Sequence, residues 1–355
     1  VADPNTLAHI LTDNGAQWRI KETDELVERV VRAVSDDPVR TVGDVGELEL
    51  IDLIAGHRSV DGTDTGVLVG PGDDAAVLAG GGPVVVSTDA LVDGQHFRLD
   101  WSTPIQVGAK AIVANAADVM SMGGRVTGFV VSLTCPKDLG VDTLVGLRDG
   151  MRTAAARYGA QVVGGDLTAG SQLVIAVTAI GAMDSRSPVR LSTAREGDVL
   201  AVSGPLGASG AGLDLLLAGV TGFPTLVAAH CEPSPNLFLA AGATSAGVHA
   251  MTDVSDGLIS ELRTMARQSG CAMTVDPTRV PVLPELAAAA AALHTDPLRW
   301  VLGGGEDHEL LASFPAGAVP VGWTVIGTVE HRTGGPAVAV TGIDDVDLDA
   351  GWRTF

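Results

Sequence analysis

Seven aspartates stand in short glycine-flanked clusters along the chain: Asp73 and Asp74 in GPGDDAAV, Asp89 in STDALVDGQHF, Asp118 in NAADVMSMGG, Asp166 in VVGGDLT, and Asp253 and Asp256 in MTDVSDGL. Each follows or interrupts an apolar run, where a carboxylate is costly to bury. Like charges gathered in one cleft repel unless cations sit between them. Carboxylate oxygens beside glycine-rich backbone are the donors that Mg²⁺ and a polyphosphate need. The pattern points to a phosphoryl-transfer site built on several Mg²⁺ ions.

Each cluster also has a plainer reading. Asp73 and Asp74 leave a tight Gly-Pro-Gly turn and could be turn residues. Asp256 precedes Gly257 at an expected helix start, where it could act as a cap; a helix N-terminus also attracts phosphate. Asp118 could bond a neighbouring backbone group. His96 could be structural, and Glu306, after Gly303–Gly305, could stabilise a turn. Capping alone does not explain the same device repeated four times.

The elements that would position these residues follow from periodicity. Residues 1–40 are charged and glycine-poor, with one amphipathic helix expected over Thr23–Val34. Asp44 and Glu47 resemble a capping box for a helix carrying Leu48, Ile51 and Ile54. Strands are expected at Val84–Thr88 and Val126–Thr134, with a helix between them from Pro104. On it Val107, Ala111, Ala114, Asp118 and Met122 share one face, joined by Asn115. A helix near Asp142–Tyr158 leads to strands Gln161–Gly165 and Leu173–Gly181. On this reading Ser87–Asp89 and Gly164–Asp166 both sit at strand ends. Ala182–Glu196 reads as a linker. A second α/β unit then holds strand Val199–Ser203, helices Gly207–Ala218 and Gly257–Gln268, an alanine-rich helix at Ala287–Ala292, and strands near Glu309–Phe314, Trp323–Val329 and Ala337–Thr341.

Taken in order, the GDDAAV, STD-x-L-V-x-G-x-H-F, K-A-x-x-x-N-x-x-D, GGD, D-x-S-D-G-L and GGGED segments resemble those of the thiamine-monophosphate kinase family, from about Thr41 to the last residue. The resemblance implies a two-domain α+β/α/β fold of the aminoimidazole ribonucleotide synthetase type. Residues 1–40 would be an extension, 41–182 an N-terminal ATP- and Mg²⁺-binding, dimer-forming domain, and 190–355 a C-terminal α/β domain. It further implies a homodimer, ATP as co-substrate and thiamine monophosphate as acceptor. Asp74, Ser87, Thr88, Asp89, Asp118, Asp166, Asp253 and Asp256 would hold Mg²⁺. Gly165, Asp166, Arg190 and Ser255 would contact ATP. His96, Glu306 and Phe355 would face the thiamine phosphate. Both donor and acceptor are phosphates, and a phosphate oxygen is already a nucleophile near neutral pH. No acid–base or nucleophilic side chain is therefore expected.

Composition sets the outer bounds. With 355 residues and 46% hydrophobic content, one or two domains with a large core are expected. A net charge of −21 argues against nucleic acid and anionic membrane partners. Only three lysines occur, none in a Walker pattern. Cys135, Cys231 and Cys271 form no C-x-x-C, and no long apolar run or leader is read, so a reduced cytoplasmic protein is expected. Two alternatives stay open: another ATP-dependent enzyme of the same superfamily, such as aminoimidazole ribonucleotide synthetase, or a non-catalytic acidic cation-binding protein.

Overall fold

The computed structural model describes residues 40–44, 67–69, 77–78, 82–184, 186–335 and 337–343. The chain divides into units Val1–Arg40 and Thr41–Phe355, and every element below belongs to the second. The helix expected over Thr23–Val34 and the one after Asp44 fall outside the described residues. Asp44 itself ends a single 3₁₀ turn, Val42–Asp44, and its carboxylate accepts from the Thr41 N–H and hydroxyl at 3.0 and 2.8 Å.

Two short strands, β1 (Val67–Val69) and β2 (Val77–Leu78), pair antiparallel. The first large layer comprises β3 (Val84–Val92), β4 (Arg125–Cys135), β5 (Val162–Ala169) and β6 (Val174–Ala182), in the order β3-β6-β4-β5. Only β4 and β5 run parallel. A parallel neighbour needs a crossover, supplied here by helix α2 (Val141–Arg157). Helix α1 (Pro104–Ser121) begins with a capping box of Thr103 and Gln106 and lies against the sheet and α2. The two helices touch backbone to backbone: a Cβ on Gly150 would stand 2.0 Å from the Ile105 carbonyl oxygen. On β6 the alternation buries Ile175, Val177 and Ala179 under the helices. The opposite face lies open, with Val84 and Val86 59% and 63% exposed.

The second layer is a six-stranded sheet in the order β12-β9-β11-β7-β10-β8. Its strands are β7 (Val199–Val202), β8 (Ala250–Asp253), β9 (Ala272–Val275), β10 (Leu310–Phe314), β11 (Thr324–Glu330) and β12 (Val338–Val340), with only β12 and β9 parallel. The helices of this half are α3 (Ala208–Ala218), α4 (Pro224–Cys231), α5 (Leu239–Ser245), α6 (Leu258–Ser269), α7 (Leu286–Leu293) and α8 (Leu298–Gly303). Strand β10 is buried throughout and serves two cores: Leu310, Ala312 and Phe314 join the N-terminal helices, while Leu311 packs with Leu215, Leu258 and Leu262. This shared strand, together with α1 lying beside β8, brings the two halves into contact.

Two local expectations change. Ser87–Asp89 and Gly164–Asp166 lie in the middle of β3 and β5, because the apolar alternation resumes at Leu91 and Leu167. Of the segment expected over Ala182–Glu196, Ala182 ends β6, and the described residues after it are irregular apart from one 3₁₀ turn, Leu191–Thr193.

Candidate active site

The acidic cleft is assembled from both halves. On β3, Ser87 and Asp89 pair with the buried Ala179 and Val177 of β6 and so point to the helix side. There the Ser87 hydroxyl donates to Asp118 Oδ2 at 2.6 Å, and Asn115 Oδ1 accepts from the Asp89 N–H at 3.1 Å. Asn115 Nδ2 donates back to the Ala111 carbonyl, so this amide fixes β3 against α1. From the C-terminal half, β8 ends on Asp253, and the turn into α6 carries Ser255 and Asp256.

The carboxyls feel one another. Burial first, then the charges of Asp253 and Asp89, push Asp118 up to about 6, although the Ser87 hydrogen bond opposes this. Burial, Asp253 and Asp89 likewise raise Asp256. Glu261 is pushed up to about 8 by burial and Asp253, while one of its oxygens accepts the Asp256 N–H at 3.3 Å. Burial alone would lower His308, but its ring sits 3.0 Å from Asp253 Oδ2 and that ion pair raises it instead. Among the described residues no three His, Cys, Asp or Glu side chains converge tightly enough to form a metal centre as they stand. Mg²⁺ needs less: it binds through one or two carboxylates and completes its shell with water and phosphate oxygens. Hard carboxylate oxygens whose charges repel one another suit such an ion.

Beside this cleft lies a second constellation. The loop after α8 presses on its surroundings; a Cβ on Gly305 would stand 2.5 Å from the Ser255 carbonyl oxygen. Glu306 follows in the left-handed region at φ 65°, and its N–H donates to Ser255 O at 2.7 Å. Its Oε1 lies 3.1 Å from Lys110 Nζ and its Oε2 3.5 Å from His230 Nδ1. Burial would raise the Glu306 carboxyl, but Lys110 and then His230 outweigh it and hold it below the ordinary range. Burial, helped by Lys110, drives His230 down to about 4, so this imidazole is neutral at pH 7. Asp307 accepts the N–H groups of Gly207 and Ser209 at 2.6 and 2.8 Å, filling the start of α3 itself. Glu309 accepts from the Ser203 hydroxyl at 2.5 Å. A cavity of about 280 Å³, lined by Trp300, Asp214, Ser209 and His230 among others, opens at Glu306.

Residues 72–183 match the family model described as AIR synthase related protein, N-terminal domain, and residues 195–335 match its C-terminal domain. A thiamine-monophosphate kinase from Mycobacterium tuberculosis is 46% identical over 317 residues, covering 89% of this chain and 93% of that one. The chain belongs to the thiamine-monophosphate kinase family. A Corynebacterium glutamicum thiamine-monophosphate kinase is 43% identical, covering 89% of this chain and 95% of that one. The solved structure of AaThiL complexed with AMPPCP and TMP has 30% identity and a TM-score of 0.71, covering 87% of this chain and 97% of that one. The two-domain aminoimidazole ribonucleotide synthetase type of fold is thereby established; its N-terminal domain carries the four-stranded sheet, and its C-terminal domain carries β7 to β11.

Within this thiamine-monophosphate kinase fold, Asp89, Asp118, Asp253 and Asp256 come together, with Ser87 and Ser255 beside them. Asp74 and Phe355 lie outside the described residues. Asp166 sits apart from the cluster. It pairs with Ser132 on edge strand β5, on the open face that also carries Thr88 and Thr178, and it accepts from the Thr168 hydroxyl at 3.0 Å. Thr88 donates to Val177 O, Gly165 is on β5, and Arg190 is exposed in the interdomain segment, its carbonyl bonded by Thr193. His96 Nδ1 accepts the Val92 N–H at 3.1 Å. Sequence reasoning gave no role to Lys110, His230, Glu261, Asp307, His308 or Glu309. The D-H-E run directly after Glu306 was a usable signal. His230, on a helix that was not anticipated, offered none.

Proposed function

We propose that the protein transfers the γ-phosphoryl group of ATP to thiamine monophosphate, giving thiamine diphosphate and ADP. The observation that carries this reading is the convergence of Asp89 and Asp118 from one domain with Asp253 and Asp256 from the other, next to a Lys110-paired Glu306. Asp74, Ser87, Thr88, Asp89, Asp118, Asp166, Asp253 and Asp256 would hold Mg²⁺, which when bound offsets the negative charge of donor and acceptor phosphates. Gly165, Asp166, Arg190 and Ser255 contact ATP, and His96, Glu306 and Phe355 take the thiamine phosphate. The chain's own work is positioning. Asn115 fixes Asp89, Ser87 orients Asp118, and His308, 3.0 Å away, orients Asp253. The acceptor oxygen attacks in line without a catalytic base.

The domains in this reading are 41–182 and 190–355, and the active protein is a cytoplasmic homodimer. Two features support the dimer: the open apolar face of the first sheet, and the position of Asp166. With β3 and β5 at opposite edges of one sheet, Asp166 would reach the ions held by Asp89 from a second copy. Among the described residues no helix is long and apolar enough to cross a membrane. Incubation with ATP, Mg²⁺ and thiamine monophosphate should yield thiamine diphosphate by chromatography. Activity only on an aminoimidazole precursor, or nucleotide-independent cation binding alone, would refute the proposal.

A further inference from the structure

Lys110 is 1% exposed, on a stretch of α1 packed with Val107, Ala111 and Ile112. A buried ammonium in such company is costly unless each N–H finds a partner. All three do. Nζ donates to the His96 carbonyl at 2.9 Å and to the His230 carbonyl at 3.1 Å, and it meets Glu306 Oε1 at 3.1 Å. The acceptors come from three separate segments: the turn after β3, the end of α4, and the loop before β10. Lys110 and His96 belong to the N-terminal domain, and His230 and Glu306 to the C-terminal one. Lys110 Nζ stands 3.1 Å from the Glu306 carboxylate and His230 Nδ1 3.5 Å, so the ammonium is the closer of the two groups that hold it.

Stability alone is a poor reason for this arrangement, because a buried ion pair is often no better than well-packed apolar residues. Glu306 also sits at positive φ, a backbone cost that in a non-glycine residue is met chiefly at functional sites. Both features make sense if the carboxylate must stand in one place. We propose that Lys110 is a positioning residue for the acceptor substrate, fixing the Glu306 carboxylate and the His96 backbone relative to each other so that both side chains meet one molecule of thiamine monophosphate. The proposal rests on the reading that His96 and Glu306 face that substrate. Lys110 touches neither phosphate nor ring; it acts through Glu306 and the His96 turn.

The test is a double-mutant cycle on the full chain with Lys110→Met, Glu306→Gln and the pair combined, measuring kcat, both KM values and melting temperature. Lys110→Met should raise KM for thiamine monophosphate about tenfold, with kcat and KM for ATP changing by less than about threefold. Lys110→Met leaves a carboxylate buried without its partner and can fail to fold, whereas the combined variant removes both charges. In the Glu306→Gln background, Lys110→Met should therefore change KM for thiamine monophosphate by less than about threefold, the remainder coming from the loosened His96 turn. A further tenfold loss in that background would overturn the proposal, as would a Lys110→Met enzyme whose KM values stay at the wild-type level or move together with kcat and melting temperature. Glu306→Gln with unchanged KM for thiamine monophosphate would remove the underlying reading, and the proposal with it.

Discussion

Replacing Asp118 by Asn should make the metal-free protein more stable and the enzyme almost inactive. Asp118 is pushed from the ordinary carboxylate value to about 6, by burial and by the charges of Asp253 and Asp89. A carboxyl whose folded pKa is raised contributes fully at low pH, and that contribution is lost as the pH rises through about 6. At about 1.4 kcal/mol per unit, a shift of about two units makes the ionised Asp118 cost the apo protein roughly 2–3 kcal/mol at pH 8. Asn keeps an oxygen to accept the Ser87 hydroxyl and carries no charge. In chelator at pH 8, Asp118→Asn should melt roughly 3–6 °C higher than wild type, and the gap should close towards pH 4. Turnover should fall by about three decades, as expected when about 4 kcal/mol of charge stabilisation is lost. Differential scanning calorimetry at the two pH values, with steady-state kinetics on the same preparations, reads both quantities. A variant that melts lower at pH 8 and keeps its activity would refute the reasoning, because Asp118 would then be a structural cap.

The position of Asp166 makes a sharper demand. Asp89→Asn and Asp166→Asn should each abolish most turnover, yet mixed dimers of the two variants should recover activity, since one of their two sites then holds both native carboxylates; a mixture as dead as its parents would place Asp166 outside a shared site. His308→Leu should destabilise the protein by about 3–5 kcal/mol, because it strands the buried Asp253 carboxylate, and adding Asp253→Asn should restore much of the loss in a denaturant titration. Deleting Arg353–Phe355 should raise KM for thiamine monophosphate ten- to hundredfold, or about 1.4–2.8 kcal/mol, while KM for ATP and melting temperature stay near wild type.

What could be read from the residues was what local periodicity exposes. Asn115 and Asp118 were legible on one face of α1 because a polar pair on an apolar stripe breaks a 3.6-residue pattern, and both prove to hold β3. The strand cores at Val84, Val126 and Val199 were legible for the same kind of reason. Strand ends were not: Asp89 interrupts β3 without terminating it, since pairing with β6 carries the strand on to Val92. The face occupied by Asp166 depends on sheet order, a long-range property that no local window contains. Short elements such as α4 and β8 give too few residues for a period, and with them went His230 and the strand that delivers Asp253. The Asp253–His308 pair joins residues far apart in sequence, so only the folded chain shows that an imidazole 3.0 Å away holds this aspartate at the cleft.

Stereochemistry tests the central claim most directly, that the aspartate cleft supports direct transfer from ATP to a phosphate acceptor. With ATP made chiral at the γ-phosphorus by oxygen isotopes, the product should be thiamine diphosphate with its terminal phosphoryl group inverted. Retention of configuration, or label trapped on the protein after exposure to ATP alone, would contradict the account.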